Sequence, residues 1–117
     1  ARREDRLSEM KRVFEERHPG LQVRVYAMDL ADDLQMDAFL DWLEREQVGP
    51  NLLINNAGMG DKGPFATGDW PKIRAMLELN VVALTRLTHR LLPMLRAGGR
   101  GAVLNVSSIA GLLPLPH

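Results

Sequence analysis

The chain has 117 residues, 15 Lys and Arg against 15 Asp and Glu, no cysteine, and 45% hydrophobic but only 5% aromatic residues. A chain of this length buries roughly two thirds of its unfolded surface, enough for one core and too little for a two-domain enzyme or a large parallel sheet with helices on both faces. Absent cysteines exclude disulfide, zinc-ribbon and thiol-nucleophile chemistry. The balanced, interspersed charge lacks the cationic face that nucleic acid or an anionic membrane requires, and no apolar run approaches the ~20 residues of a bilayer span. The opening ARREDRLSEM has no apolar stretch of the signal-peptide kind. A soluble, intracellular domain with neither nucleic-acid nor membrane partner is expected.

In chain order, Leu7, Met10 and Phe14 recur at helical spacing and predict a helix from about Arg3 to His18, stopped by His18-Pro19-Gly20. Leu21, Val23, Val25 and Ala27 alternate with bulkier or polar neighbours, which predicts a strand over 21–28 near a sheet edge. Asp32 and Asp33 sit where a helix N-terminus favours acidic side chains. Met36, Phe39, Leu40 and Leu43 then carry a second helix to Gln47, before Gly49-Pro50. Asn51 to Asn55 reads as a short strand whose unbroken apolar run suits a position covered on both faces. A Gly- and Pro-rich loop from Ala57 to Gly68 leads into a long helical tract over 69–97, opened by Asp69 with Pro71 in the first turn and closed by Gly98-Gly99. Ala102 to Val106 predicts a third strand, followed by Ser107-Ser108. Such alternation predicts an α/β doubly wound parallel sheet with right-handed crossovers. Ligands bind such sheets beyond the carboxyl ends of the strands, which directs attention to Asp29-Leu30, Asn55 to Gly58 and Ser107-Ser108.

Several residues in these places admit two readings. Asn80 falls on the apolar stripe of Ile73, Met76, Leu77, Leu84, Leu87, Leu91 and Met94. A buried amide left unpaired costs ~1 to 3 kcal/mol, so Asn80 either bonds the preceding turn of backbone or opens the helix and holds a water near a site. Pro93 also disturbs the helical ladder. Asn55-Asn56-Ala57-Gly58 is either a plain turn or a strand end where small residues let the backbone approach a ligand. Ser107 and Ser108 are ordinary turn residues or hydroxyl donors to a substrate oxygen. Asp29 either starts the next helix or contacts a ligand through its carboxylate. Arg2 and Arg3 are a solvated helix start, yet two cations there oppose the helix dipole and invite an anion such as a 2'-phosphate. His18, His89 and His117 have no metal-ligand spacing, and the acidic residues between Asp29 and Asp41 read as a solvated helix face rather than a metal cage.

Taken in order, Leu52-Leu-Ile-Asn-Asn-Ala-Gly58, Leu79-Asn80 within a long helix, and Val103-Leu-Asn-Val-Ser-Ser-Ile-Ala-Gly111 resemble the middle of a short-chain dehydrogenase/reductase. The resemblance covers essentially the whole chain. It implies a Rossmann-like doubly wound sheet, of which three strands and three helices are present here. Ala1-Arg-Arg-Glu-Asp-Arg-Leu7 resembles the turn after the family's second strand, where an Arg receives the adenosine 2'-phosphate through its planar fork of donors. NADP is therefore the implied cofactor in preference to NAD. By the same resemblance Arg2 and Arg3 meet that phosphate, Asp29 and Leu30 flank the adenine, and Asn56, Ala57 and Gly58 line the cofactor toward its nicotinamide end. Ser108 bonds the oxygen of a small carbonyl or alcohol substrate, and Asn80 holds the water of a proton relay.

The implied reaction is reversible hydride transfer, with the Tyr of a YxxxK motif as general acid/base. The family's TGxxxGxG loop belongs before residue 1, and YxxxK belongs farther from Ser108 than the nine residues that follow it. Tyr26 has no Lys four residues later. Residues 1–117 are accordingly expected to be the central fragment of one NAD(P)-binding domain of a cytoplasmic enzyme, inactive by itself. The alternative is a non-catalytic dinucleotide-binding sensor or scaffold of the same fold, whose downstream segment would lack the Tyr and Lys. A flavodoxin-like receiver domain fits poorly, because the chain opens with a helix and has no Lys after Lys72. Apolar residues of the long helix extend beyond a single face to Leu79, Val82 and Leu92, and the resemblance implies a homodimer or homotetramer paired through 69–97.

Overall fold

Two helices and the irregular segment between them make up the first unit of the chain, Ala1–Arg45. The computed structural model describes residues 1–109. Ala110 and Gly111 of the serine-containing motif, and His117, lie outside the described residues. Helix α1 (Glu4–Arg17) carries Glu4 and Asp5 in its first turn and Arg17 in its last, the arrangement that complements a helix dipole. It closes where the His18 N–H donates to the Phe14 carbonyl, and the chain turns away at Gly20, whose φ of 97° an L side chain rarely adopts.

Residues 21–28 have no regular secondary structure and do not form the predicted strand. Val23 and Val25 are half-buried and Gln22 and Arg24 exposed, as the alternation requires. Alternation sets which side chains turn inward, whereas a strand also needs a partner backbone with repeating rungs. Here the Val23 N–H donates to the Glu15 carboxylate at 3.0 Å and the Met28 N–H to the Ala1 carbonyl at 2.9 Å.

Helix α2 (Asp33–Arg45) begins at a side-chain cap with the spacing of a capping box but without its return bond to the N-cap N–H. Asp32 Oδ1 accepts the N–H groups of Leu34 and Gln35 at 2.9 and 3.0 Å, and the Gln35 side chain donates back to Asp32 Oδ2 at 2.9 Å. Met36, Leu40 and Leu43 form its buried face. Phe39 and Trp42 meet Tyr26 with ring centroids 5.3 and 5.2 Å apart. The helix ends before the predicted Gln47 because that residue has φ 53°, in the left-handed region where helices terminate.

The second unit, Glu46–His117, contains strands β1 (Leu52–Asn55) and β2 (Ala102–Asn105), paired in parallel with Leu52 opposite Ala102 and Asn55 opposite Asn105. The predicted 69–97 tract forms without interruption but not uniformly. Helix α3 (Trp70–Leu77) passes through a π-helical turn at Glu78–Ala83 into α4 (Leu84–Ala97). Ala83, Leu91 and Leu95 are buried, and Ile73, Met76, Leu84, Leu87 and Met94 half-buried. Leu77 and Asn80, expected on that stripe, are exposed. The wider i→i+5 turn carries the chain out of the 3.6-residue period, so a stripe drawn straight through it places Asn80 on the wrong face.

One face of the β1–β2 pair packs toward α4, with Leu53 half-buried and Asn55 buried. On the other face Leu52 and Ile54 stay about half exposed, at 50% and 52%. Leu104 and Val106 share that face by strand alternation and are exposed too. Coverage of both faces, as expected for β1, is thus not found among the described residues.

Between α4 and β2 the chain runs so close to the end of the helix that a Cβ on Gly101 would collide with the carbonyl of Leu95, itself fully buried. Replacing Gly101 with Ala should lower the melting temperature, with a stability loss of ~1 to 3 kcal/mol from overpacking. Gly98→Ala, whose Cβ meets nothing within 4 Å, should leave stability nearly unchanged in the same thermal melts.

Candidate functional site

Parallel pairing sends the segments after β1 and β2 out of the same edge of the sheet, so Asn56-Ala57-Gly58 and Ser107-Ser108 leave from adjacent strand ends. The register is held by a side chain. Asn55 uses both N–H groups of its carboxamide, donating to Thr88 Oγ1 on α4 at 3.0 Å and to Asn105 Oδ1 on β2 at 2.8 Å. Thr88 in turn donates to the Leu84 carbonyl at 2.8 Å, the i−4 back-bond open to a helical Thr. Asn56, Ala57, Gly58 and Ser108 are exposed.

Asn80 reaches this loop from the π-helical turn. Its Oδ1 accepts the Met59 N–H at 3.0 Å and its Nδ2 donates to the Met59 carbonyl at 2.8 Å, a two-point pairing that fixes the amide's orientation. Neither sequence reading of Asn80 anticipates it: the side chain bonds backbone 21 residues away rather than the preceding turn. Among the described residues one N–H and one lone pair of this amide are left without a partner. Farther along, Lys72 Nζ pairs with Asp61 Oδ1 at 3.1 Å and holds the Asp61 carboxyl below the usual carboxylate range.

In the first unit the structure brings Arg2 to Asp29, with NH1 3.5 Å from Oδ2 and side-chain exposures of 78% and 39%. Asp29 Oδ1 accepts the Ala31 N–H at 3.1 Å, and the Asp29 carbonyl accepts the Asp32 N–H at 3.2 Å. The Asp29 N–H itself donates to Gln35 Oε1 at 2.9 Å. Leu30 is half-buried in this turn and Arg3 is exposed at the N-cap of α1. A shallow open depression is lined by Asp29, Ala31, Asp32, Asp33 and Leu34. The Gln35 backbone N–H, followed by its side-chain amide, pulls the Asp32 carboxyl below its ordinary value.

Sequence reasoning does not single out Gln35, Thr88 or Asn105, and it marks Asn55 only as the start of the Asn55 to Gly58 turn, not as a partner of the other two. Gln35 was legible as the fourth residue of the Asp32-x-x-Gln35 box. The other three pair across 33 and 50 residues of sequence, and no local pattern announces them. Among the described residues no group of His, Asp and Glu could hold a metal ion, and no helix is long and apolar enough to cross a membrane.

The whole chain, residues 1–117, matches the family model for short chain dehydrogenases. Sulfoacetaldehyde reductase of Chromohalobacter salexigens is 36% identical over 120 residues, covering 98% of this chain and 45% of that protein. Human very-long-chain 3-oxoacyl-CoA reductase is 29% identical over 99% of this chain and 38% of its own length. L-sorbose reductase from Gluconobacter frateurii, solved with NADPH and L-sorbose, superposes with a TM-score of 0.90 at 35% identity, over 98% of this chain and 43% of that one. The chain therefore spans less than half the length of these relatives. Their folds are Rossmann-type, the short parallel sheet here is part of one, and the chain belongs to the short-chain dehydrogenase family.

Proposed function

We propose that the full-length protein is an NADP(H)-dependent oxidoreductase that transfers hydride between the nicotinamide and a small carbonyl or alcohol substrate, and that residues 1–117 are the central part of its single nucleotide-binding domain. The observation that carries this reading is the common exit of Asn56-Ala57-Gly58 and Ser107-Ser108 from the carboxyl edge of β1 and β2, with Asn80 clamped to the loop beside them. That edge is where ligands sit in such sheets. The uncovered apolar face of β1 and β2 supports the domain assignment, since parallel sheets are ordinarily buried on both faces.

The residues fit the cofactor. Arg2 keeps an exposed guanidinium, held to Asp29 only at 3.5 Å, and a phosphate dianion engages such a fork better than a single carboxylate oxygen. With Arg3 beside it, this favours NADP over NAD. Asp29 and Leu30 are assigned to the adenine. Asn56, Ala57 and Gly58 offer exposed backbone and small side chains toward the nicotinamide end. When bound, the nicotinamide supplies or accepts the hydride. Ser108 is assigned the hydrogen bond to the substrate oxygen, where charge changes during transfer. Asn80, with one donor and one acceptor left on its amide, is assigned a water of the proton relay. No general acid/base is assigned among the described residues: Tyr26 is packed against Phe39 and Trp42 and is followed four residues later by Leu30. We therefore take residues 1–117 alone to be inactive. A cytoplasmic location belongs to the same proposal, resting on the balanced charge and the cysteine-free sequence. Val82 and Leu92 are exposed and Leu79 half-buried on the long helix, which supports pairing of two copies through 69–97.

Three measurements on the full-length protein test this reading. Ser108→Ala should lower kcat for carbonyl reduction by about a hundredfold or more, the usual effect of removing one preorganised donor at a reacting oxygen. Tight NADPH binding without turnover in the parent would point instead to a dinucleotide sensor or scaffold. Arg2→Ala should weaken NADP binding more than NAD binding in titration calorimetry, and equal losses would refute the 2'-phosphate assignment. Light scattering at micromolar concentration should report a dimer or tetramer; a monomer would rule out the helix-paired assembly.

A further inference from the structure

The turn at Asp29 is built from side chains more than from the backbone. Asp32 caps α2, Gln35 donates to Asp32 Oδ2 at 2.9 Å, and the other end of the same carboxamide accepts the Asp29 N–H at 2.9 Å. Asp29 then holds the Ala31 N–H on Oδ1 and Arg2 on Oδ2. In a simple capping box the N3 side chain returns to the N-cap N–H. Here the Asp32 N–H is already bonded to the Asp29 carbonyl, so Gln35 reaches one step further, to Asp29 itself. Only a carboxamide meets both demands, because it must accept from an N–H at one end and donate to a carboxylate at the other. A Glu there would set a second negative charge against Asp32, and a Met would satisfy neither group.

We propose that Gln35 is a positioning residue for the adenosine end of the cofactor: it ties the rigid N-terminus of α2 to the Asp29 turn and, through the Asp29 carboxylate, to Arg2. The proposal rests on the nucleotide-binding reading above. Gln35 touches no cofactor atom in this account. Its effect is to keep the Asp29–Leu30 backbone in one arrangement before binding, so that less ordering remains for the ligand to impose.

The test uses full-length Gln35→Ala, with Asp41→Gly as a control. Asp41 is exposed on α2, and a glycine there weakens the helix without touching the turn. Loss of one or two such bonds should raise the Kd for NADPH roughly three- to tenfold, with kcat at saturating cofactor within about twofold of the parent by the same reasoning. The affinity for adenosine 2',5'-bisphosphate should fall in parallel. Asp41→Gly should lower the melting temperature and leave both affinities unchanged. If Gln35→Ala binds NADPH as the parent does, or if Asp41→Gly weakens binding equally, the positioning role is refuted. Amide exchange at Asp29, faster in Gln35→Ala than in the parent, reads the tether without any cofactor. If the parent binds no dinucleotide while Gln35→Ala still shows that faster exchange, the function is overturned and not the tether, whereas unchanged exchange in Gln35→Ala would overturn the tether whatever the parent binds.

Discussion

The carboxamide of Asn55 is the interaction on which the second unit depends. A parallel pair of four-residue strands is marginal alone, and strand pairing tolerates slips unless something on one face resists them. Asn55 resists in two directions, because its N–H groups bind Asn105 on the neighbouring strand and Thr88 on the helix packed above. A one-residue slip of β2 would turn Asn105 to the opposite face and leave a buried N–H unpaired, a cost of ~1 to 3 kcal/mol. The same bonds fix α4 along β1. Everything that leaves the carboxyl edge of the sheet inherits its position from that register.

Asn80 repeats the device one layer out. Its side-chain amide pairs with the backbone of Met59 as another peptide group would, and it can do so because the π-helical turn brings a polar residue out of the helix period and toward the loop after β1. The ion pair between Lys72 and Asp61 also spans that loop and helix, but both partners are largely solvated, and exposed pairs of this kind contribute ~0 to 1 kcal/mol. Positioning therefore falls mainly to uncharged carboxamides, which lose little in salt and do not titrate. At the Asp29 turn a carboxamide works together with carboxylates: the well-formed bonds are those of Gln35, Asp32 and Asp29, while Arg2, the most exposed member, is left with the weakest contact and the most freedom to meet an anion.

What could be read in the sequence follows from the range of each interaction. The helices of 69–97, α1 and α2, and both strands that pair were legible, because spacing and local caps determine them. The strand expected over 21–28 was not formed, since alternation reports facing and says nothing of a partner. Asn80 was recognised as anomalous through its place on an apolar stripe, and the stripe itself was misdrawn; the anomaly survived because an Asn in mid-helix needs an explanation whichever face it occupies. Ser108, Asn56 and Gly58 are proposed from their position after strands, and the parallel pairing sets those two strand ends side by side. The pairing of Asn55 with Asn105 is not legible because the meaning of each residue lies in the other, across 50 residues.

The composition of the two strands carries the argument one step further. A half-exposed sheet ordinarily alternates apolar and polar residues, yet Leu52-Leu53-Ile54 and Ala102-Val103-Leu104 are apolar at every position, and polar character returns only at the register-setting Asn55 and Asn105. With Leu53 turned to α4, the side chains of Leu52, Ile54, Leu104 and Val106 form an apolar surface on the opposite face. In a parallel sheet that surface is the second covered face of the layered fold, and it gains its full burial only when further structure lies on it. The strands are thus written for a sheet with helices on both sides, which agrees with a chain that spans less than half of its relatives.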